Sequence, residues 1–459
     1  MINCLVSENS GKNIPITPIV HSDFSAWLER QEERVKNMVT QSNFTAKSGK
    51  HFLIFDQSGN LAEVLLGLVS KDDFLSFGAL PGVLPGGVYR ANGDGFSMSQ
   101  LEHAAIGWGM GDYRFSHYKD LEKREALLNC DGYPLANINS VLSAIYLVRD
   151  LINTPAEDLY PEKLAGVALN LAKEYQAKVD IIKGEELVTG FPAVYAVGKG
   201  SDRQPLVIDL SHGDSQHPKV VLVGKGVCFD SGGLQLKPSS AMLLMKKDMA
   251  GAAHALAIAH MVMEAQLPIN LRVIIPAVEN LPSGNSIKPN DIIRTRSGKT
   301  IEVGNTDAEG RLILADALTY AVEQKPELIL DFATLTGAAR TALGPSMAAL
   351  FANDQRLADD LMEAMRREAE EVWQLPLYDA YADFLESDVA DMLNVSKSAN
   401  TGGGAILGAL MLQKFVPSTC PWAHFDIAAY NNSTKPGKPK GGEADCVVGV
   451  FKYLAEKFS

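Results

Sequence analysis

The sequence predicts an α/β protein in two parts, a smaller one followed by a larger one built on a sheet with helices on both faces. Three observations predict it. In the larger part, short β-branched or apolar runs alternate with longer runs of helical period. A chain of 459 residues, 46% apolar, is too long for one compact core and long enough for two domains of ordinary size. Between the parts, an apolar helical run ends in TPAEDLYPEKL, a proline-marked break.

In the first part, HFLIFD and AEVLLGLV read as strands, and loops such as LPGVLPGG separate them from helical patterns over 99–108 and around LEKREALLN. The run ANINSVLSAIYLVRDLIN, 136–153, reads as a helix next to the boundary, which gives domains at 1–140 and 141–459. The strands expected after it are KVDII, AVYAV, PLVIDL, KVVLVG, LRVIIPAV, ELILDFAT and AHFDIAA. AGAAHALAIAHMVMEAQ, RLILADALTYAVEQ and GGGAILGALMLQKFV are the helices that separate them. In such sheets ligands bind beyond the carboxyl ends of the strands, so the polar residues after KVVLVG and ELILDFAT deserve the closest reading.

The net charge of −13 is spread over both parts, which disfavours nucleic acid or an anionic membrane as partner. No run approaches the roughly 18 apolar residues of a membrane span, and MINCLVSENSGKNIP has neither a basic start nor an apolar stretch, so a cytoplasmic location is expected. Five cysteines without a C-x-x-C pair suggest reduced thiols rather than a disulfide framework or a thiolate zinc site.

KVVLVGKGVCFDSGGLQLKP begins as a buried strand and then sets Lys225 between two glycines, Asp230 before SGG and Lys237 before a proline. A phosphate loop fails on spacing: it needs Gly where Lys219 stands and Ser or Thr where Gly226 stands, and the dinucleotide fingerprint needs a small residue where Phe229 stands. A plain glycine turn would explain Lys225 alone, but not the charges gathered in one loop. Asp248 and Asp307 each precede a helical run, where the ordinary role is an N-cap. Asp307, Glu309 and Arg311 stand two apart in VGNTDAEGRLILADAL, and a cation in the first turn of a helix opposes the helix dipole unless an anion is near. His254 and His260, six apart, diverge on a helix, and no H-E-x-x-H or G-x-S-x-G occurs. The candidates are therefore Lys225, Asp230, Lys237, Asp248, Asp307, Glu309 and Arg311. Four carboxylates with few histidines suit hard or borderline divalent cations, and that ligand count can hold two of them.

NTDAEGR resembles the signature of the leucine aminopeptidase or cytosol aminopeptidase family of two-metal exopeptidases, and VGKGVCFDSGG, LKPS, MKKDMAGAA, ENLPSGN, SGKTIEV, LTGA, WQLPL and WAHFDIA, in this order, resemble its other blocks. The resemblance implies an N-terminal α/β domain of macro-domain type, then a larger α/β/α exopeptidase catalytic domain with a central mixed sheet, assembled as a homohexamer. It implies that Lys225, Asp230, Asp248 and Glu309 hold one metal and Asp230, Asp307 and Glu309 the other. Zinc is typical, with manganese, magnesium or cobalt at the more exchangeable site. Lys237 would act as the electrophile on the developing oxyanion, and Arg311 would position a bicarbonate-like anion.

Peptides with a free N-terminus are the implied substrates, their side chain received by Met245, Thr334, Gly337, Ala428 and Asn431. Asn431 stands where leucine-preferring members often carry an apolar residue, and Glu157 where the family often shows Asn. The rival readings are a two-metal phosphoesterase on the same ligands, which lacks histidines and a wider basic clamp, and an additional DNA-binding role, which the acidic balance opposes.

Overall fold

The structure, a computed structural model, describes residues 2–7, 11–398 and 401–459. These residues form two compact units: 1–146 with 431–441, and 147–430 with 442–459.

The described residues of the first unit carry a six-stranded sheet in the order Leu5–Val6, Ala126–Asn129, Gly87–Ala91, Ile14–Val20, Leu61–Leu68, His51–Phe55. All neighbours are parallel except the last pair. Helix Met98–Asp112 opens with a reciprocal capping box between Ser97 and Gln100. The expected helix around LEKREALLN is a correction: its end, Ala126–Asn129, is a strand held between Leu5–Val6 and Gly87–Ala91. Its helix formers yield to a ladder because four residues clamped on both edges gain more from pairing than from a single helical turn.

The second unit is built on a nine-stranded mixed sheet. At its centre Asn270–Asn280, Lys219–Gly224, Leu328–Ala333 and Trp422–Asp426 run parallel, so their carboxyl ends lie on one side. Leu206–His212 and Ala348–Ala352 flank them antiparallel, and the short strand Gly226–Asp230 pairs with the far end of Asn270–Asn280. Val221, Val223, Ile274 and Ile329 alternate along three of these strands and join residues of helix Glu309–Glu323 in one buried cluster.

Helix Ala250–Glu264 packs on Lys219–Gly224 and Leu328–Ala333 and is buried from Ala250 to Met263, which is why it is written in Ala and Gly. A Cβ on Gly251 would stand 2.0 Å from the Phe332 carbonyl oxygen and 2.8 Å from the Lys225 amide nitrogen. Only glycine lets the helix start this close to two strand ends.

AVYAV, expected as a strand, is part of helix Pro192–Gly198. Pro192 occupies its first turn, where a missing N–H costs nothing, and the Asp316 carboxylate accepts from the Ala193 and Val194 amides at 2.7 and 3.3 Å. A side chain distant in sequence thus caps the run, which period alone could not reveal.

Helix Leu135–Asn153, expected as a helix, holds an 18-residue window of mean hydropathy 1.3, so against expectation one run is long and apolar enough to cross a membrane by that test. Half of the stretch is buried inside the fold, as in a core helix. Arg149 on it is buried and pairs with Glu443 at 2.9 Å. Removing the carboxylate takes this pairing from a guanidinium that stays buried. Glu443→Ala should therefore lower unfolding stability by about 3–5 kcal/mol in urea titration. A loss below about 1 kcal/mol, the value of an exposed pair, would contradict this account.

Candidate metal centre

The parallel strand ends deliver the candidate residues to one place. Lys225 follows strand Lys219–Gly224, Asp230 ends strand Gly226–Asp230, and Thr334 follows Leu328–Ala333. Asp248 follows the short turn of helix Met245–Lys247, and Glu309 is the first residue of helix Glu309–Glu323. The N-cap positions of the two following helices fall to Met249 and Ala308, so neither Asp248 nor Asp307 is spent as a cap. One ligand atom each from Asp230, Asp307 and Glu309 lies within 4.8 Å of the others, the group among the described residues with metal-binding spacing.

Two lysines stand among these carboxylates. Lys225 Nζ lies 2.8 Å from Asp248 Oδ2 and 2.9 Å from Glu309 Oε1, and donates to the Thr334 carbonyl at 3.1 Å. Lys237 Nζ lies 2.7 Å from Asp230 Oδ2 and contacts Asp307 Oδ1. The other Asp230 oxygen accepts from the Gly232 amide at 2.9 Å and from Asn280 Nδ2 at 2.8 Å, while Thr334 Oγ1 donates to Asp248 Oδ1 at 2.6 Å. Gly310 explains its place between Glu309 and Arg311: a Cβ there would come within 2.8 Å of Lys225 Cε and Nζ.

The electrostatics record the crowding. Burial raises the Asp230 carboxyl well above the ordinary aspartate range, and the charges of Glu309 and Asp248 add to it. Burial, with Glu309, pushes Asp248 up to about 6 against the pull of Lys225. Burial would raise Glu309 as well, but the Lys225 ammonium holds it below its usual range. For the lysines burial disfavours the charge, yet Asp248 and Glu309 keep Lys225, and Asp230 keeps Lys237, above the ordinary lysine range.

A metal fits this donor set. Asp248 Oδ2 and Asp307 Oδ1 are buried and accept no well-directed hydrogen bond although an ammonium lies beside each, so both keep lone pairs for a cation. The carboxylates are hard oxygen donors, and more positive charge is what the raised pKa values of Asp230 and Asp248 call for.

Arg311 lies buried at the same site. It donates to the Asn394 carbonyl at 2.6 Å and the Gly404 carbonyl at 3.2 Å, while its Nε has no partner. Burial lowers its pKa to about 10, against the attraction of Asp426 and Glu309.

A cavity of about 330 Å³ opens on the cluster, lined by Lys225, Asp230, Lys237, Asp307, Glu309 and Arg311, and also by Met245, Thr334, Gly337 and Ala428. Asn431 belongs to the first unit, where its amide donates to the Pro439 carbonyl at 3.2 Å. His254 bonds the Ala250 carbonyl and the Asp445 amide, and His260 bonds Tyr175, so both have structural partners.

Sequence reasoning missed three residues. Asn280 orients Asp230, and its place at the end of strand Asn270–Asn280 was the available signal. Asn394 bonds the Gly304 and Asn305 amides through its side chain and Arg311 through its carbonyl, a long-range role without a local signal. Lys247, buried in the cavity wall, has its pKa lowered to about 8 by burial and by the charges of Arg340 and Lys225.

Comparison with known proteins agrees with this geometry. Residues 146–450 match the description "Cytosol aminopeptidase family, catalytic domain", and residues 14–130 match "M17 aminopeptidase, N-terminal domain". The probable cytosol aminopeptidase of Chlamydia felis is 46% identical over 331 residues, 70% of this chain and 65% of that protein. That of Chlorobium limicola is 41% identical over 355 residues, 72% of this chain and 70% of its own length. The chain thus spans about two thirds of the length of these curated relatives. The crystal structure of the cytosol aminopeptidase from Coxiella burnetii superposes with a TM-score of 0.96 at 47% identity and 100% coverage of both chains. The bottromycin maturation enzyme BotP, solved in complex with Mn, follows at 0.88 and 32% identity, covering 97% of this chain and 100% of its own. With both of its parts matched and its full length superposable on a solved member, this chain belongs to the cytosol aminopeptidase family.

Proposed function

We propose that the chain is a metal-dependent aminopeptidase that hydrolyses the N-terminal residue from peptides. The observation that carries this reading is the convergence of Asp230, Asp307 and Glu309 within 4.8 Å, beside a cavity that can admit a side chain. Lys225, Asp230, Asp248, Asp307 and Glu309 would hold two divalent cations, zinc first, with manganese, magnesium or cobalt at the exchangeable position. Bound there, the cations supply Lewis acidity toward a scissile carbonyl and lower the pKa of water toward neutrality.

The chain's own groups complete the chemistry. Lys237 keeps its proton because Asp230 and Asp307 flank it, and a charged donor at the cavity wall suits the negative charge that develops on a carbonyl oxygen. Arg311, with Nε unpartnered, suits a bicarbonate-like anion that accepts and returns a proton. Met245, Thr334, Gly337 and Ala428 line the same cavity, and we assign them to the side chain of the departing residue. On the same family likeness we assign a cytoplasmic homohexamer.

The direct test is a panel of aminoacyl-arylamides with free and blocked amines, assayed after chelation and after return of each metal. Hydrolysis should vanish on chelation, return with metal, and be confined to free amines. Equal rates on blocked substrates would overturn the aminopeptidase reading.

Within the site, Glu309→Ala should abolish activity and lower bound metal, because Glu309 stands between both groups of ligands. Lys237→Ala should retain its metal while kcat falls about 10²–10³-fold, as expected for a donor that acts mainly in the transition state. Elemental analysis beside steady-state kinetics separates the two; metal loss from the Lys237 variant would count against its role.

A further inference from the structure

Two more cations line the cavity, and neither forms an ion pair among the described residues. Lys247 is only 7% exposed. Its ammonium spends one of its three donors, on the Ala428 carbonyl at 2.6 Å. Arg340 is exposed, on the short helix Gly337–Leu343, with no side-chain partner among the described residues. Both side chains line one cavity, and repulsion between two cations that share a cavity is relieved when an anion enters.

The anions nearest them pair with other groups. Asp248 is taken up by Lys225 and Thr334. Asp426 accepts from the Leu335 and Thr336 amides at 2.9 and 3.2 Å and from the Thr336 hydroxyl at 2.6 Å. Among the described residues, no carboxylate lies within ion-pair distance of Lys247 or Arg340.

Both cations are tied to the residues assigned above to the departing side chain. Lys247 is two residues from Met245 and bonds the carbonyl of Ala428. Arg340 follows Gly337 by three residues on one helix, hence on the same face. We propose that Lys247 and Arg340 make this recess select peptides with an acidic N-terminal residue, glutamate or aspartate. The proposal rests on the aminopeptidase reading and names its substrate class. An ammonium and a guanidinium together match a carboxylate in charge and in hydrogen-bond donors, and the same pair repels an N-terminal lysine or arginine.

A carboxylate at the far end of a dipeptide is the competing anion, and arylamide substrates remove it. We would compare kcat/KM for glutamyl, glutaminyl, leucyl and lysyl arylamides on the metal-loaded enzyme, on Arg340→Glu and on Lys247→Met. The glutamyl substrate should exceed its isosteric glutaminyl partner, and the lysyl one, by about tenfold or more. Arg340→Glu, an exposed change, should move the glutamyl-to-lysyl ratio toward lysine by about tenfold or more, and Lys247→Met should bring the glutamyl-to-glutaminyl ratio near one. Leucyl hydrolysis with no glutamyl advantage, or with a ratio unmoved in Arg340→Glu, overturns this proposal alone. An acidic preference that appears only in dipeptides overturns it too, assigning the cations to a main-chain carboxylate. No release from any free-amine substrate overturns the aminopeptidase reading and this proposal with it.

Discussion

Carboxylates gathered in a buried recess repel one another, and the second unit is arranged around the positive charge that answers this repulsion. Asp230, Asp248, Asp307 and Glu309 come from three separate segments, the last two residues sharing one, and Lys225 and Lys237 each bridge two of these carboxylates. Without those ammonium groups, the raised pKa values of Asp230 and Asp248 would rise further and the recess would take up protons instead. The lysines therefore occupy, electrostatically, the place where metal charge is wanted.

That arrangement demands close packing of backbone. Gly251 lets helix Ala250–Glu264 begin against Phe332 and Lys225, which brings Asp248 to the Lys225 ammonium. Gly310 leaves room for the same lysine beside Glu309. Asn280 and Asn394 then fix the loops from either side, the first through Asp230 and the second through the 304–305 amides and Arg311. The cavity continues past the carboxylates to Lys247 and Arg340, so one recess joins an anionic floor to a cationic wall.

Much of this was legible in the chain, for physical reasons. Fully buried parallel strands such as KVVLVG and ELILDFAT are continuous apolar runs, and helices such as AGAAHALAIAHMVMEAQ are too long and too rich in alanine to be strands. The strand-end rule pointed at Lys225 and Asp230, the family resemblance alone supplied Thr334, and the two-residue spacing of Asp307, Glu309 and Arg311 was odd enough to need a counter-charge. What stayed hidden depends on partners distant in sequence. Ile14–Val20 is a strand despite Pro15 and Pro18, Pro192–Gly198 is a helix capped by Asp316, and Ala126–Asn129 is a strand because two neighbours clamp it. Lys247 reads locally as one of two adjacent lysines, and only the fold shows that it is buried while Lys246 is half-buried.

If the recess is built for metal, then protons and metal compete for it. Lys225 has no lone pair until it loses the proton that Asp248 and Glu309 hold on it, and Asp248 takes up a proton near pH 6. Groups whose pKa values are raised in the metal-free protein must release protons on binding, so affinity must climb with pH. Calorimetric titration of the chelated protein with zinc between pH 5.5 and 8.5, in buffers of different ionisation enthalpy, measures this directly. The account predicts two ions per chain, protons released on binding, and affinity that falls steeply as pH drops toward about 6. Binding of no stoichiometric ion, or binding whose affinity is the same across that range, would contradict it.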